Sequence, residues 1–344
     1  MLTRCPECGS FRVRPSKFGM AGGHLREFGC LTCRIVEDRR SDAPDYVAWV
    51  DRWTPTFASV SVEANRLVPS QVTPDTLTEL RQRIAARPHD DALRLAYATV
   101  IVGRQPERAE FIRLQIQRYY DEAWRGVPYG RPGHRESTLK ARHALDWTRS
   151  IRPFARAYRS DAPFQGVEFE RGFVADIRTE PEMWADMGDR LLQMAPIEHL
   201  TLTPDGPFIA ALTSPNLARI RTLRLNQLGL GDDEAIALAD HGHLDRCDAL
   251  DLSGNRITTR GFKALLANPT IRSMPVVRLY SNPCDPHVWV AQDLDGGLVD
   301  WGLQGTGVEA EREYGRIDWL HIPPIGGDQP DDHHVATFFR DGLR

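Results

Sequence analysis

Lysine is almost missing from this chain: of its 43 Lys and Arg residues only Lys17, Lys140 and Lys263 are lysines. So one-sided a choice of base reads as the coding bias of a GC-rich genome more than as selection for phosphate contacts. No run of about eighteen apolar residues occurs, so no membrane-spanning helix is expected. Met1–Ser10 lacks the apolar stretch behind a basic start that a secretory signal needs, and a cytoplasmic location is the expectation. Phosphate loop, G-x-S-x-G elbow, H-E-x-x-H pair and dinucleotide fingerprint are all missing, so no catalytic residue is assigned and an enzyme is not expected. What remains, 41% apolar and 26% charged residues over 344 positions, is an ordinary globular balance with room for two or three domains.

Cysteine is scarce too, but four of the six stand as two Cys-x-x-Cys hooks, Cys5-Pro6-Glu7-Cys8 and Cys30-Leu31-Thr32-Cys33. Each hook brings two thiolates to one ion from a single tight turn. Two hooks complete a closed tetrahedral S4 site with no open position for chemistry. Cys5, Cys8, Cys30 and Cys33 are therefore expected to hold one structural Zn²⁺, favoured over the iron that the same ligand set also accepts. The spacing resembles a zinc ribbon over residues 1–40, with short strands near Phe11–Arg14 and Leu25–Phe28 and the turn supplied by Gly19, Gly22 and Gly23. Cys247 and Cys284 sit alone in apolar-patterned segments, where a small buried thiol is the expected role.

Charge is unevenly spread. Residues 1–40 carry eight bases against four acids and residues 94–159 fourteen against six, while residues 285–344 carry twelve acids against four arginines. A basic face for an anionic partner is one reading and solvated helix surfaces the other. In the ribbon, Arg4, Arg12, Arg14, Lys17, Arg26 and Arg34 with Phe11 and Phe18 would suit nucleic acid, and a folding staple with a basic rim is the alternative.

Residues 41–73 are aromatic and punctuated by proline (Trp49, Trp53, Pro55, Pro69) and read as a linker or small packing segment. Thr73-Pro74-Asp75 is a helix start. From there to residue 160 the apolar spacing is helical: Leu77, Leu80 and Ile84; Leu93, Tyr97 and Val100; Phe111, Leu114, Ile116 and Tyr119. The stretches Asp91-Ala92-Leu93-Arg94-Leu95-Ala96-Tyr97 and Pro106-Glu107-Arg108-Ala109-Glu110-Phe111-Ile112-Arg113-Leu114-Gln115 resemble the bacterial repeat-companion domain, a helical unit that precedes leucine-rich repeats and implies no activity of its own.

Downstream the chain repeats. Ile197–Leu202, Ile220–Leu225, Cys247–Ile257 and Met274–Cys284 align on L-x-x-L-x-L-x-x-N-x-L, with equivalent positions Leu200, Leu223, Leu250 and Val277 spaced 23, 27 and 27 residues. Val174–Ile177 is a plausible degenerate first copy. Between the strand patterns, Asp232–Ala239 and Thr259–Leu266 read as amphipathic helices with polar starts. The pattern resembles ribonuclease-inhibitor-like leucine-rich repeats, whose lengths fall in the expected range. That likeness implies an α/β fold in which a short parallel-strand solenoid follows a helical segment and the ribbon. Asn255 and Asn282 should close the strand-to-loop bends by bonding open backbone groups.

Residues 161–284 are thus expected to form the repeats and 285–344 a cap, carrying Trp289, Trp301 and Trp319, with an acidic tail. The x positions of each L-x-L put Thr201, Arg224, Asn226, Asp251, Arg278 and Tyr280 on one face, together with His199, Thr203, Thr222 and Ser253. The expected function is that of a non-enzymatic adaptor binding a protein partner there, with Arg224, Arg278 and Tyr280 the anchors by residue type. The alternative is a nucleic-acid-binding or regulatory factor that uses the basic ribbon and the arginine-rich helices. Asp331-Asp332-His333-His334 and Asp240-His241-Gly242-His243 have metal-ligand residue types but read as a solvated tail and a helix C-terminus.

Overall fold

The computed structural model describes residues 13–20, 23–30, 36–40, 43–124, 132–156, 166–284, 286–290, 300–303 and 305–321. They form a mixed α/β protein built around a six-stranded, mostly parallel sheet. Contacts divide the chain into two compact units: residues 1–150 with 169–175 and 193–196, and the remainder.

The first unit begins with an antiparallel sheet of β1 (Val13–Met20), β2 (Gly23–Cys30) and β3 (Val36–Arg40), of which β3 had no signal in the sequence pattern. The span read as a linker or small packing segment holds two helices, α1 (Tyr46–Trp53) and α2 (Phe57–Leu67). Their aromatics explain why. Trp49 and Trp53 of α1 lie 5.0 and 5.3 Å from the ring of Phe28 on β2, and all three are buried. Both indoles also donate to Glu37 Oε2, at 2.8 and 3.1 Å, which further accepts from Arg52. Burial opposes ionisation of that carboxyl, but the Trp53, Trp49 and Arg52 contacts outweigh it and hold its pKa below the usual range.

Helix α2 starts on a Thr56–Ser59 capping box, and α3 (Pro74–Ala86) on a Thr73–Thr76 box with Pro at its first position, the start read from the sequence. They surround α4 (Asp91–Ile101), whose residues Asp91–Ala98 are all buried, together with α5 (Pro106–Trp124) and α6 (His134–Trp147). The helical-spacing residues Leu80, Ile84, Leu93, Phe111, Ile116 and Tyr119 form this core, each fully buried aliphatic contributing roughly 1.5–3 kcal/mol.

Strands β4 (Val167–Glu170) and β5 (Phe173–Thr179) are joined by Arg171 and Gly172, both at positive φ, 50° and 85°, as a tight hairpin of this type requires. A Cβ on Gly172 would overlap Ile112, so the position admits glycine alone. The turn is gripped by residues that carry the helical resemblance. Arg94, with no exposed surface, donates to the carbonyls of Glu170 and Arg171 at 3.1 and 3.2 Å, and Gln115 Oε1 accepts from Gly172 N at 2.7 Å. Arg171 in turn reaches Asp91, which also accepts from Tyr120. Asp91, Arg94 and Gln115 of these two stretches are thus structural: they satisfy a buried turn that water cannot reach.

In the second unit the sheet order β5, β6 (His199–Leu202), β7 (Thr222–Arg224), β8 (Ala249–Asp251), β9 (Val276–Arg278) follows the sequence. Helix α7 (Pro181–Met194) and the short α8 (Ile209–Leu212) connect the first strands, then α9 (Asp232–His241), α10 (Thr259–Ala267) and α11 (Pro269–Arg272) the later ones. Ile177, Leu200, Leu223, Leu250 and Val277 are register partners and form one buried row. The step of 27 recurs in the backbone: Gln227, Gly254 and Ser281 all adopt φ near +60° (57°, 65° and 59°) at the bend after their strands.

The next residue of the later bends is the asparagine. Asn255 Oδ1 accepts from the amides of Leu228 and Leu230 at 3.0 and 3.1 Å, and its Nδ2 donates to the carbonyls of Leu225 and Leu252, both at 2.8 Å. Asn282 repeats this with Ile257 N, Leu252 O and Leu279 O. Each side chain therefore ties its own bend to the preceding one, as expected. On the helix side, Asp232 accepts from Thr258 N, Thr258 Oγ1 and Gly261 N, capping α10 from the neighbouring helix.

Beyond β9, strands β10 (His287–Val290) and β11 (Asp300–Leu303) pair antiparallel and α12 (Thr306–Tyr314) follows. Trp319 is buried edge-on against Phe262 of α10, so this segment covers apolar surface as a cap would.

Candidate functional site

Side chains alternate across a strand, so the residue after each buried leucine faces the other way. That gives a row in register: Arg178, Thr201, Arg224, Asp251 and Arg278. The row knits itself together. Arg224 Nη1 donates to Asp176 Oδ2 at 2.8 Å and lies 3.3 Å from Thr201 Oγ1. Arg278 Nη1 reaches Asp251 Oδ2 at 3.4 Å, while Asp251 Oδ1 accepts from the amide and hydroxyl of Ser253 at 3.0 and 2.6 Å.

The six residues expected to touch a partner separate accordingly. Thr201, Arg224 and Asp251 are buried, at 8%, 5% and 8% exposure. Asn226 is exposed, and Arg278 and Tyr280 are half-buried at the β9 end of the row. His199 is half-buried, and Thr203, Thr222 and Ser253 are buried. Residue type alone named Arg224 as an anchor because Asp176, its partner 48 residues earlier, stood in the weakest copy of the repeat.

Among the expected metal ligands, Cys5, Cys8 and Cys33 lie outside the described residues, and Cys30 ends β2 opposite Val13. Among the described residues no cluster of His, Cys, Asp or Glu could hold a metal ion. Of the ribbon's basic residues, Arg4, Arg12 and Arg34 lie outside the described residues, as does Asp331–His334. His241 closes the last turn of α9. Cys247 and Cys284 are both buried thiols, as expected; burial pushes the Cys247 thiol up to about 12, so it stays protonated and inert.

The described residues contain no helix long and apolar enough to cross a membrane. Comparison of the chain with protein-family models, with curated proteins and with solved structures finds no match in any of the three.

Proposed function

We propose that the chain is a non-enzymatic leucine-rich-repeat protein that recognises a protein partner through the polar face of its parallel sheet. The observation that carries this reading is the polar row Thr201–Arg224–Asp251–Arg278, in register on successive parallel strands and backed by the asparagine-tied bends. Ion pairs internal to the row fix the side chains before any partner arrives, which lowers the entropy cost of binding. Contact then falls to the residues that reach solvent, Asn226, Arg278 and Tyr280, while Arg224 and Asp251 hold the surface rigid. The N-terminal hooks, in the same reading, bind one structural Zn²⁺ that folds the ribbon.

The test is affinity capture of partners by the full chain beside an Asn226→Lys/Tyr280→Ala variant whose circular dichroism and melting are unchanged. Specific loss of a captured protein from the variant supports the reading. An identical set of captured proteins refutes it, and salt-sensitive binding of labelled RNA or DNA with no protein captured would replace it with nucleic-acid recognition.

A further inference from the structure

Arg108, near the start of α5 in the first unit, is 8% exposed, and no carboxylate among the described residues pairs with it. Aromatic rings take the place of an anion. The guanidinium carbon lies 4.6 Å from the ring centre of Trp147, 5.2 Å from Phe169, 5.5 Å from Phe173 and 5.9 Å from Phe111. Such faces attract a cation, but they satisfy none of its N–H groups, and Nη1 is buried without a hydrogen-bond partner. Burial lowers its pKa to about 10, with Tyr97 and Arg94 as the other groups acting on it, so it still carries its charge at neutral pH.

Arg108 lines a surface hollow of ≈ 480 Å³ together with His143, Trp147, Arg104 and Arg149. His143 is stacked on Trp147 with ring centres 5.4 Å apart, and its Nε2 is likewise buried without a partner. Arg104 is exposed and, among the described residues, makes no side-chain bond, so its fork can close over a ligand. Two acids also line the hollow. Asp146 is paired with Arg149 at 2.8 Å, and Glu107 acts on Arg135. Behind Pro106, which has no N–H, the amides of Glu107 and Arg108 have no partner within the first turn of α5, and both residues line the hollow.

From this geometry we propose that the hollow binds the phosphate group of a small molecule. Arg104 and Arg149 grip its oxygens at the rim, and the buried Arg108 charge and the α5 N-terminus attract it from the floor. Two buried nitrogens without partners, three arginines against two carboxylates of which Asp146 is paired with Arg149, and a positive helix end converge on one hollow. A purely structural caged cation would need none of the rim. The site lies in the helical unit and is independent of the sheet face proposed above for a protein partner.

The test is calorimetric titration of the full chain with inorganic phosphate, and melting in phosphate against chloride at equal ionic strength. Saturable binding and a phosphate-specific rise in Tm are expected. An Arg104→Ala/Arg149→Ala variant should keep its fold, since the one ion pair it removes is exposed, and should bind phosphate about tenfold or more weakly. Arg108→Met should abolish the response outright, and the rim variant keeps the proposal testable where that chain does not fold. No phosphate-specific shift in the native chain, or a shift undiminished by the rim variant, overturns the assignment.

Discussion

Replacing Asn255 by alanine would remove five hydrogen bonds at once: two accepted from the Leu228 and Leu230 amides and three donated, to the Leu225 and Leu252 carbonyls and, at 3.4 Å, to that of Ser253. Their worth depends on what water can replace. Leu228 is half-buried, so its amide recovers a partner, and the Leu252 carbonyl still accepts from Asn282, whereas the Leu230 amide and the Leu225 carbonyl are closed in. Counting about 1 kcal/mol for the Leu228 bond that solvent can replace and about 1–3 kcal/mol for each of the two groups left buried and unmet, the substitution should cost about 3–7 kcal/mol. Asn255→Asp should be no milder, because it keeps the acceptor but turns a carboxylate oxygen toward two carbonyls. Asn226, exposed and one residue past the buried Leu225, is the control, and its alanine variant should stay within about 0.5 kcal/mol of the native chain. Because the chain has two units, global unfolding would mix two transitions. Native-state hydrogen exchange at Leu228–Leu230 and Ile257 isolates the bends, and urea unfolding at fixed pH gives the overall cost. If Asn255→Ala proved as mild as Asn226→Ala, the asparagines would not be tying the bends together.

Two further outcomes can be measured. Burial opposes ionisation of Asp232, but the hydroxyl and amide of Thr258 and the amide of Gly261, with Arg260 nearby, outweigh it and hold its pKa below the usual aspartate range. A carboxyl lowered in the folded state stabilises above its unfolded pKa, about 3.9, and loses that contribution as pH falls through the folded value. The gap in urea midpoint between native chain and Asp232→Asn should therefore shrink below about pH 4, and a gap constant from neutral pH to pH 2 would refute this. The proposed zinc should appear as about one equivalent per chain by elemental analysis, falling away in Cys5→Ser/Cys8→Ser, as a closed four-thiolate site requires. Chelation should raise hydrogen exchange within residues 1–40 and leave residues 197–284 protected, and a single cooperative loss of the whole chain would show that the metal is no local staple.

The parts of the fold legible in the sequence were those fixed by local chemistry repeated at a constant step. Leu200, Leu223, Leu250 and Val277 named the strands because a short strand with one buried face leaves a two-residue alternation wherever it recurs. Thr73-Pro74 named a helix start because cap and proline act within a single turn. Strand β3 and helix α1 were not legible. Their pairing depends on Glu37 meeting two indoles twelve and sixteen residues away, and nothing in the spacing of Trp49 and Trp53 points to a carboxylate.

The arginines show the same boundary most sharply. An arginine-rich, lysine-poor composition says nothing of which guanidiniums are solvated, yet Arg94, Arg171 and Arg224 are all interior groups answered by residues far along the chain. Residue type made Arg224 an anchor for a partner, and Asp176 made it a strut. Burial with a partner thus converts an apparent binding residue into a structural one. Burial without one does the reverse: Arg108 sits in a helical run that reads as ordinary core, and it becomes a functional candidate because its charge is enclosed and unanswered beside an open hollow. What separates the two arginines is the presence or absence of an acid across the fold, a property of the tertiary contact that no local pattern encodes.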